Sequence, residues 1–121
     1  DRDNEAVAGW YRTLHPAVLR AVRAVLDAGA RAGIQTIVCG EMAGSPYYAP
    51  LLVGLGATDL SINAASIKRV RTIVSGIAYE EAQRLVESVA GLRTVEEVEY
   101  SIDKQIRKSW LHLFPADFSF D

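Results

Sequence analysis

The sequence predicts an α/β chain built on a parallel sheet. Stretches of helical period alternate with two short apolar runs, the first of them β-branched. Alternating α and β elements with short apolar strands point to a parallel sheet. The 121 residues are 50% hydrophobic and 23% charged, with 13 Lys plus Arg against 15 Asp plus Glu. A chain of about this size buries roughly two thirds of its unfolded surface, so a core forms without disulfides and disorder is excluded.

From His15 to Gly33, Val18, Leu19, Val22, Val25 and Leu26 recur at steps of three and four and define one face of a helix. Pro16 suits its first turn and Gly33 its C-terminal cap. Ile34 to Cys39 reads as a short buried strand, and Gly40 to Pro50, with two glycines and two prolines, as a loop. Tyr48 to Leu55 is a short apolar helical segment, closed by Gly56, and Asp59 to Asn63 is a second strand. Ser66 to Ser75 follows as a helix, with Ile67, Val70, Ile73 and Val74 inward, Ser66 as N-cap and Gly76 as stop. Tyr79 to Ala90 is another, carrying Ala82, Leu85, Val86 and Val89. The last opens on the capping-box pattern Thr94-x-x-Glu97 and places Val95, Val98, Ile102, Ile106 and Trp110 on one stripe. From Leu111 to Asp121 the tail reads as irregular, its three phenylalanines docking on the rest.

No linker or repeat divides residues 1–121, which read as a single unit. Two parallel strands are too few to cover themselves, so the sheet needs neighbours from further sequence or from another copy of the chain. The net charge of -2 with interspersed signs argues against a nucleic-acid binder. No apolar run reaches the roughly 18 residues of a membrane span, and the N-terminus carries no secretory pattern. With one cysteine, the cytoplasm is the simplest compartment. The chain opens on Asp1 rather than methionine, which reads as processing or a chosen boundary.

Cys39 ends the first strand and precedes a glycine-containing loop, where α/β folds gather reacting groups. A lone cysteine is most often a small buried hydrophobe. A nucleophilic thiolate needs a nearby base, and neither His15 nor His112 is tied to Cys39 by the sequence. A proton-donor role fits better, since burial at an apolar strand end favours the neutral thiol. Glu41 and Asp59 read as loop-stabilising acceptors, Arg2 as a salt-pair partner of its acidic neighbours or an anion ligand, and Lys68, Arg69 and Arg71 as a solvated helix face. No cluster has metal-ligand spacing, and the glycines match neither a phosphate loop nor a dinucleotide fingerprint.

Cys39-Gly40-Glu41-Met42-Ala43-Gly44, followed by Pro50-Leu51-Leu52-Val53-Gly54-Leu55-Gly56 and Asp59-Leu60-Ser61-Ile62-Asn63-Ala64, resembles the C-terminal part of phosphoenolpyruvate-protein phosphotransferases, Enzyme I of the bacterial phosphotransferase system. Asp1-Arg2-Asp3-Asn4 and His15-Pro16-Ala17-Val18-Leu19 fall in the same order, so the resemblance runs from Asp1 to about Val89. It implies the last two strands and their helices of a (β/α)₈ TIM barrel that binds phosphoenolpyruvate, completed by oligomerisation or rearrangement. It also implies that Cys39 protonates the methylene carbon of enolpyruvate after the phosphoryl group has left for a histidine on another domain. By the same resemblance Arg2 binds the substrate's phosphoryl group, displacing the salt-pair reading. Mg²⁺, its carboxylate ligands and the phosphorylated histidine are implied to lie outside this chain, which is then inactive alone. The implied partners are a histidine-containing phosphocarrier protein and a second copy in a homodimer, in sugar transport or a nitrogen-related branch. Ser45 departs from the acidic residue usual after Gly44. Pyruvate phosphate dikinase and phosphoenolpyruvate synthase resemble the chain less, and a purely dimerising module, using the stripe from Val95 to Trp110, is the alternative from another class.

Overall fold

The computed structural model describes residues 4–10 and 12–115. Most of it is helical, with one small sheet. After a 3-10 helix at Glu5–Trp10 come α1 (Pro16–Ala32), β1 (Ile37–Val38), α2 (Gly40–Gly44), α3 (Ala49–Gly54) and β2 (Asp59–Leu60). Then follow α4 (Ala64–Gly76), α5 (Tyr79–Val89), α6 (Val95–Gln105), a π-helical turn at Ile106–Trp110 and a 3-10 turn at Leu111–Leu113.

The two strands pair in parallel, Ile37 with Asp59 and Val38 with Leu60, as the alternation of elements predicts. Each is shorter than its apolar run. The Ser61 amide donates to the Val38 carbonyl at 2.8 Å and carries the ladder one step further. Burial is where expectation fails: Ile34 and Ile37 are 67% and 54% exposed. Among the described residues no third strand flanks the pair, so Ile37 stays open while Val38 and Leu60 are only partly buried against the helical core.

The α1 entry forms as its residues dictate: Pro16 occupies the first turn, the His15 Nδ1 accepts from the Ala17 amide at 3.1 Å, and Gly33 closes the end at φ 66°. Leu19 and Leu26 are buried and Val22 partly so, whereas Val18 and Val25 face solvent. Residues 40–50 are not simply a loop, since Gly40–Gly44 forms α2 and α3 begins at Ala49. The N-cap of α4 is Asn63 and not Ser66: the Asn63 Oδ1 accepts from the Ser66 amide at 2.9 Å, so Ser66 lies inside the first turn. Gly76 belongs to the helix, and Val70 and Ile73 are buried while Ile67 and Val74 remain exposed.

The C-terminal helices follow their pattern throughout. Ala82, Leu85, Val86 and Val89 of α5 are all buried. Both bonds of the capping box start α6: the Glu97 amide donates to Thr94 Oγ1 at 3.2 Å, and Glu97 Oε2 accepts from the Arg93 and Thr94 amides at 2.9 and 3.1 Å. Those two amides hold the Glu97 carboxyl below its ordinary pKa of 4.5. Val95, Val98, Ile102, Ile106 and Trp110 are buried inside the chain, with α6 packed on α5, so the stripe is not a surface for a second copy. The π-helical turn reverses the drift that steps of four accumulate against a period of 3.6, keeping both Ile106 and Trp110 inward. The Trp110 Nε1–H donates to Glu81 Oε2 at 2.9 Å, tying this turn to α5. The tail is more ordered than its composition implies, through the 3-10 turn and buried Phe114, whose ring stacks on Tyr47 at 5.9 Å. Phe118 and Phe120 lie outside the described residues.

Candidate functional site

The two strands end together, and the segments leaving them build a cleft of about 530 Å³. Cys39 and Glu41 line it from the β1 side, Ser61 and Asn63 from the β2 side, with Ser45 and Ser66 beyond. The volume lies within the range of ordinary small-ligand sites.

Local chain geometry sets the Cys39 thiol in place. Cys39 is extended (φ -127°, ψ -174°) and serves as N-cap of α2 without its side chain accepting any cap bond. Gly40 then turns at φ 77°, a conformation in which a Cβ is strained, so the strand-to-helix turn directly after the cysteine requires glycine. The thiol is exposed, contrary to the burial on which the proton-donor reading leans. That burial is absent because Cys39 continues a strand covered by too little structure.

Opposite, α4 is anchored by the Asn63 cap, and Gly44 of α2 approaches it closely: a Cβ on Gly44 would lie 3.6 Å from the Ser66 Oγ. The cleft wall carries several polar groups but almost no charge, with hydroxyls from Ser45, Ser61 and Ser66, the Asn63 amide, and Glu41 as its sole formal charge among the described lining residues. Sequence reasoning passes over Ser45, Ser61 and Asn63 as site groups. An Asn directly before a helical run is a cap signal that points to Asn63.

The other candidates separate. Asp59 is a structural acceptor, taking the Gln35 Nε2–H at 3.2 Å and the Thr58 hydroxyl at 2.7 Å. His15 caps α1 and His112 sits in the terminal 3-10 turn; neither lines the cleft. Arg2 lies outside the described residues. Among the described residues no group of three or more His, Cys, Asp or Glu side chains is placed to hold a metal ion. No described helix is long and apolar enough to cross a membrane.

Compared with known proteins, residues 1–79 match the family described as PEP-utilising enzyme, PEP-binding domain. The phosphoenolpyruvate-protein phosphotransferase of Geobacillus stearothermophilus is 45% identical over 98 residues, which are 81% of this chain and 17% of that protein. The protein of the same name from Mycoplasma pneumoniae is 37% identical over 108 residues, 89% of this chain and 19% of its own. A Salmonella typhimurium protein named phosphoenolpyruvate-dependent phosphotransferase system is 37% identical over 102 residues, 84% of this chain and 14% of its own. The chain thus spans under a fifth of the length of these curated relatives.

Proposed function

Because the chain belongs to the PEP-utilising enzymes, in the part matching their PEP-binding domain, we propose that it supplies one wall of a phosphoenolpyruvate site in a phosphoenolpyruvate-protein phosphotransferase. Cys39 is the acid of this reaction. When the phosphoryl group passes from phosphoenolpyruvate to a protein histidine, the electron pair of the broken bond remains on the enolate oxygen of pyruvate. The Cys39 S–H gives its proton to the methylene carbon, which becomes the methyl group of pyruvate, and the thiolate regains a proton from water. The observation that carries the reading is the position of Cys39, one residue past β1 in a cleft shared with the end of β2. Its exposed thiol, engaged in no cap bond, is free to exchange protons with solvent.

On this reading Arg2 holds the phosphoryl group and the hydroxyls and amide of Ser61, Ser66 and Asn63 border the substrate without adding negative charge. The two strands close a (β/α)₈ barrel whose other strands come from outside this chain. Mg²⁺ is bound by carboxylates of the larger protein, and the phosphoryl group moves on to a histidine-containing carrier protein, in a cytoplasmic homodimer. The 121 residues alone do not turn over phosphoenolpyruvate.

The test replaces Cys39 by Ala in the longer protein that carries this segment. Pyruvate release falls by at least about a hundredfold, the ordinary contribution of a positioned general acid. Pyruvate formation and self-phosphorylation both unaffected would remove Cys39 from the chemistry. Turnover by the purified 121-residue chain overturns the claim that it is inactive alone.

A further inference from the structure

Away from the cleft, the helix α4 and the chain's end enclose a groove lined by Lys68, Arg69, Thr72, His112 and Phe114. A second groove shares His112 and Phe114 with the first and extends to Lys108 on the π-helical turn. The two adjoin at these residues and together make a basic track. No acidic side chain lines either groove among the described residues, and α4 contains no acidic residue anywhere. Lys68, Arg69, Lys108 and His112 enter none of the ion pairs formed among the described residues, which join Arg12 to Glu96, Arg23 to Asp27 and Arg107 to Asp103. Lys68, Arg69 and Lys108 thus carry uncompensated positive charge in a chain whose net charge is -2. The track therefore stands out by sign from the chain that carries it.

We propose that this track is the docking surface for an acidic, extended polypeptide segment of a partner protein. Charge complementarity selects an anion. The spread of the cations selects its shape: Lys68 and Arg69 line one groove and Lys108 the other instead of all lining one, whereas a free phosphate needs converging donors. Nucleic acid is the poorer fit. The one aromatic in the track, Phe114, is 7% exposed with its ring stacked on Tyr47, so it offers no open face to a base. Apolar surface beside the cations, including the half-exposed Leu111, suits a polypeptide side chain. This surface is independent of the phosphoenolpyruvate reading, because none of its residues lines the cleft.

The experiment measures fluorescence anisotropy of a labelled peptide alternating Glu with Ala, titrated with the 121-residue chain at low salt and again in several hundred millimolar salt. Saturable binding that weakens with salt is expected, with at least roughly tenfold loss in a Lys68→Glu/Arg69→Glu variant. Arg31→Glu, an exposed charge reversal on α1 outside both grooves, keeps wild-type binding, and an unchanged unfolding midpoint of the double variant shows that its loss of binding is not a folding defect. The same peptide with Gln for Glu does not bind. Absence of saturable binding, equal binding by the double variant, or displacement of the peptide by inorganic phosphate or by a short RNA at comparable concentration overturns the proposal. So does self-association of the chain that the double variant abolishes, which would give the track to a second copy.

Discussion

Replacing Gly54 by Ala tests how α3 and α5 are held together. A Cβ at Gly54 would lie 2.2 Å from the Ala82 carbonyl oxygen, 2.6 Å from its carbon and 2.8 Å from a Val86 methyl. Carbon and carbonyl oxygen rest at about 3.3 Å or more, so the helices must part by roughly 1 Å. The main obstacle is backbone, and no rotamer change relieves it. Overpacking of this kind costs about 1–3 kcal/mol, toward the upper end where backbone must move. Ala regains up to about 1 kcal/mol over Gly in a helix interior, and less at the last helical residue, where Gly54 sits. The net loss is about 2 kcal/mol, or about 8 °C in melting temperature for a chain of this length. Gly91→Ala is the internal reference, since nothing lies within 4 Å of its added Cβ; its stability changes by no more than about 0.5 kcal/mol. Urea and thermal unfolding followed by far-UV circular dichroism read both. If Gly54→Ala were as stable as Gly91→Ala, the close crossing of α3 and α5 would be wrong.

Three further outcomes follow from the helical side. Glu97→Gln keeps acceptors for the Arg93 and Thr94 amides but removes a titrating carboxyl whose folded pKa lies below 4.5. A depressed carboxyl stabilises above its unfolded pKa and loses that contribution as pH falls through the folded value. Urea midpoints measured downward from pH 4.5 therefore fall less steeply in Glu97→Gln than in the wild type. Ile102→Ala, at a fully buried position, costs about 2–5 kcal/mol, whereas Ile67→Ala, half exposed, stays within about 0.5 kcal/mol by chemical denaturation. Trp110→Phe loses the donor to Glu81 and part of a buried ring, lowering stability by about 1–3 kcal/mol in the same assay.

What was legible in the sequence divides along the range of the interactions involved. The capping box at Thr94 and the stripe from Val95 to Trp110 are set by residues three and four apart, and both form as read. Pro16 and Gly33 bound α1 for the same local reason. The Gly- and Pro-rich composition of residues 40–50 hid α2, a five-residue helix too short for any periodicity to register. Asn63 and not Ser66 caps α4: either side chain can accept an amide proton, and only the position of the first turn decides between them. The position of Cys39 at a strand end was legible, because β-branched runs mark strands locally. Its exposure was not, because burial depends on what lies across the sheet, and no local pattern encodes a neighbour contributed from elsewhere.

The same division separates stability from chemistry in the folded chain. Leu51, Leu52, Ile73, Val98, Ile102 and Trp110 are buried on the helical side, where α3 meets α4 and α5 and α5 meets α6. Ile34, Ile37, Val18 and Val25, on α1 and around β1, remain exposed instead. Cys39 caps no helix with its side chain and is itself exposed, so truncating it removes no buried contact and leaves the helical core intact. Loss of activity on Cys39→Ala, with unchanged unfolding, is thereby attributable to the missing proton and not to a collapsed site. Substitutions at Gly54 or Ile102 act in the opposite sense, lowering the population of folded chain while leaving the residues that line the cleft untouched.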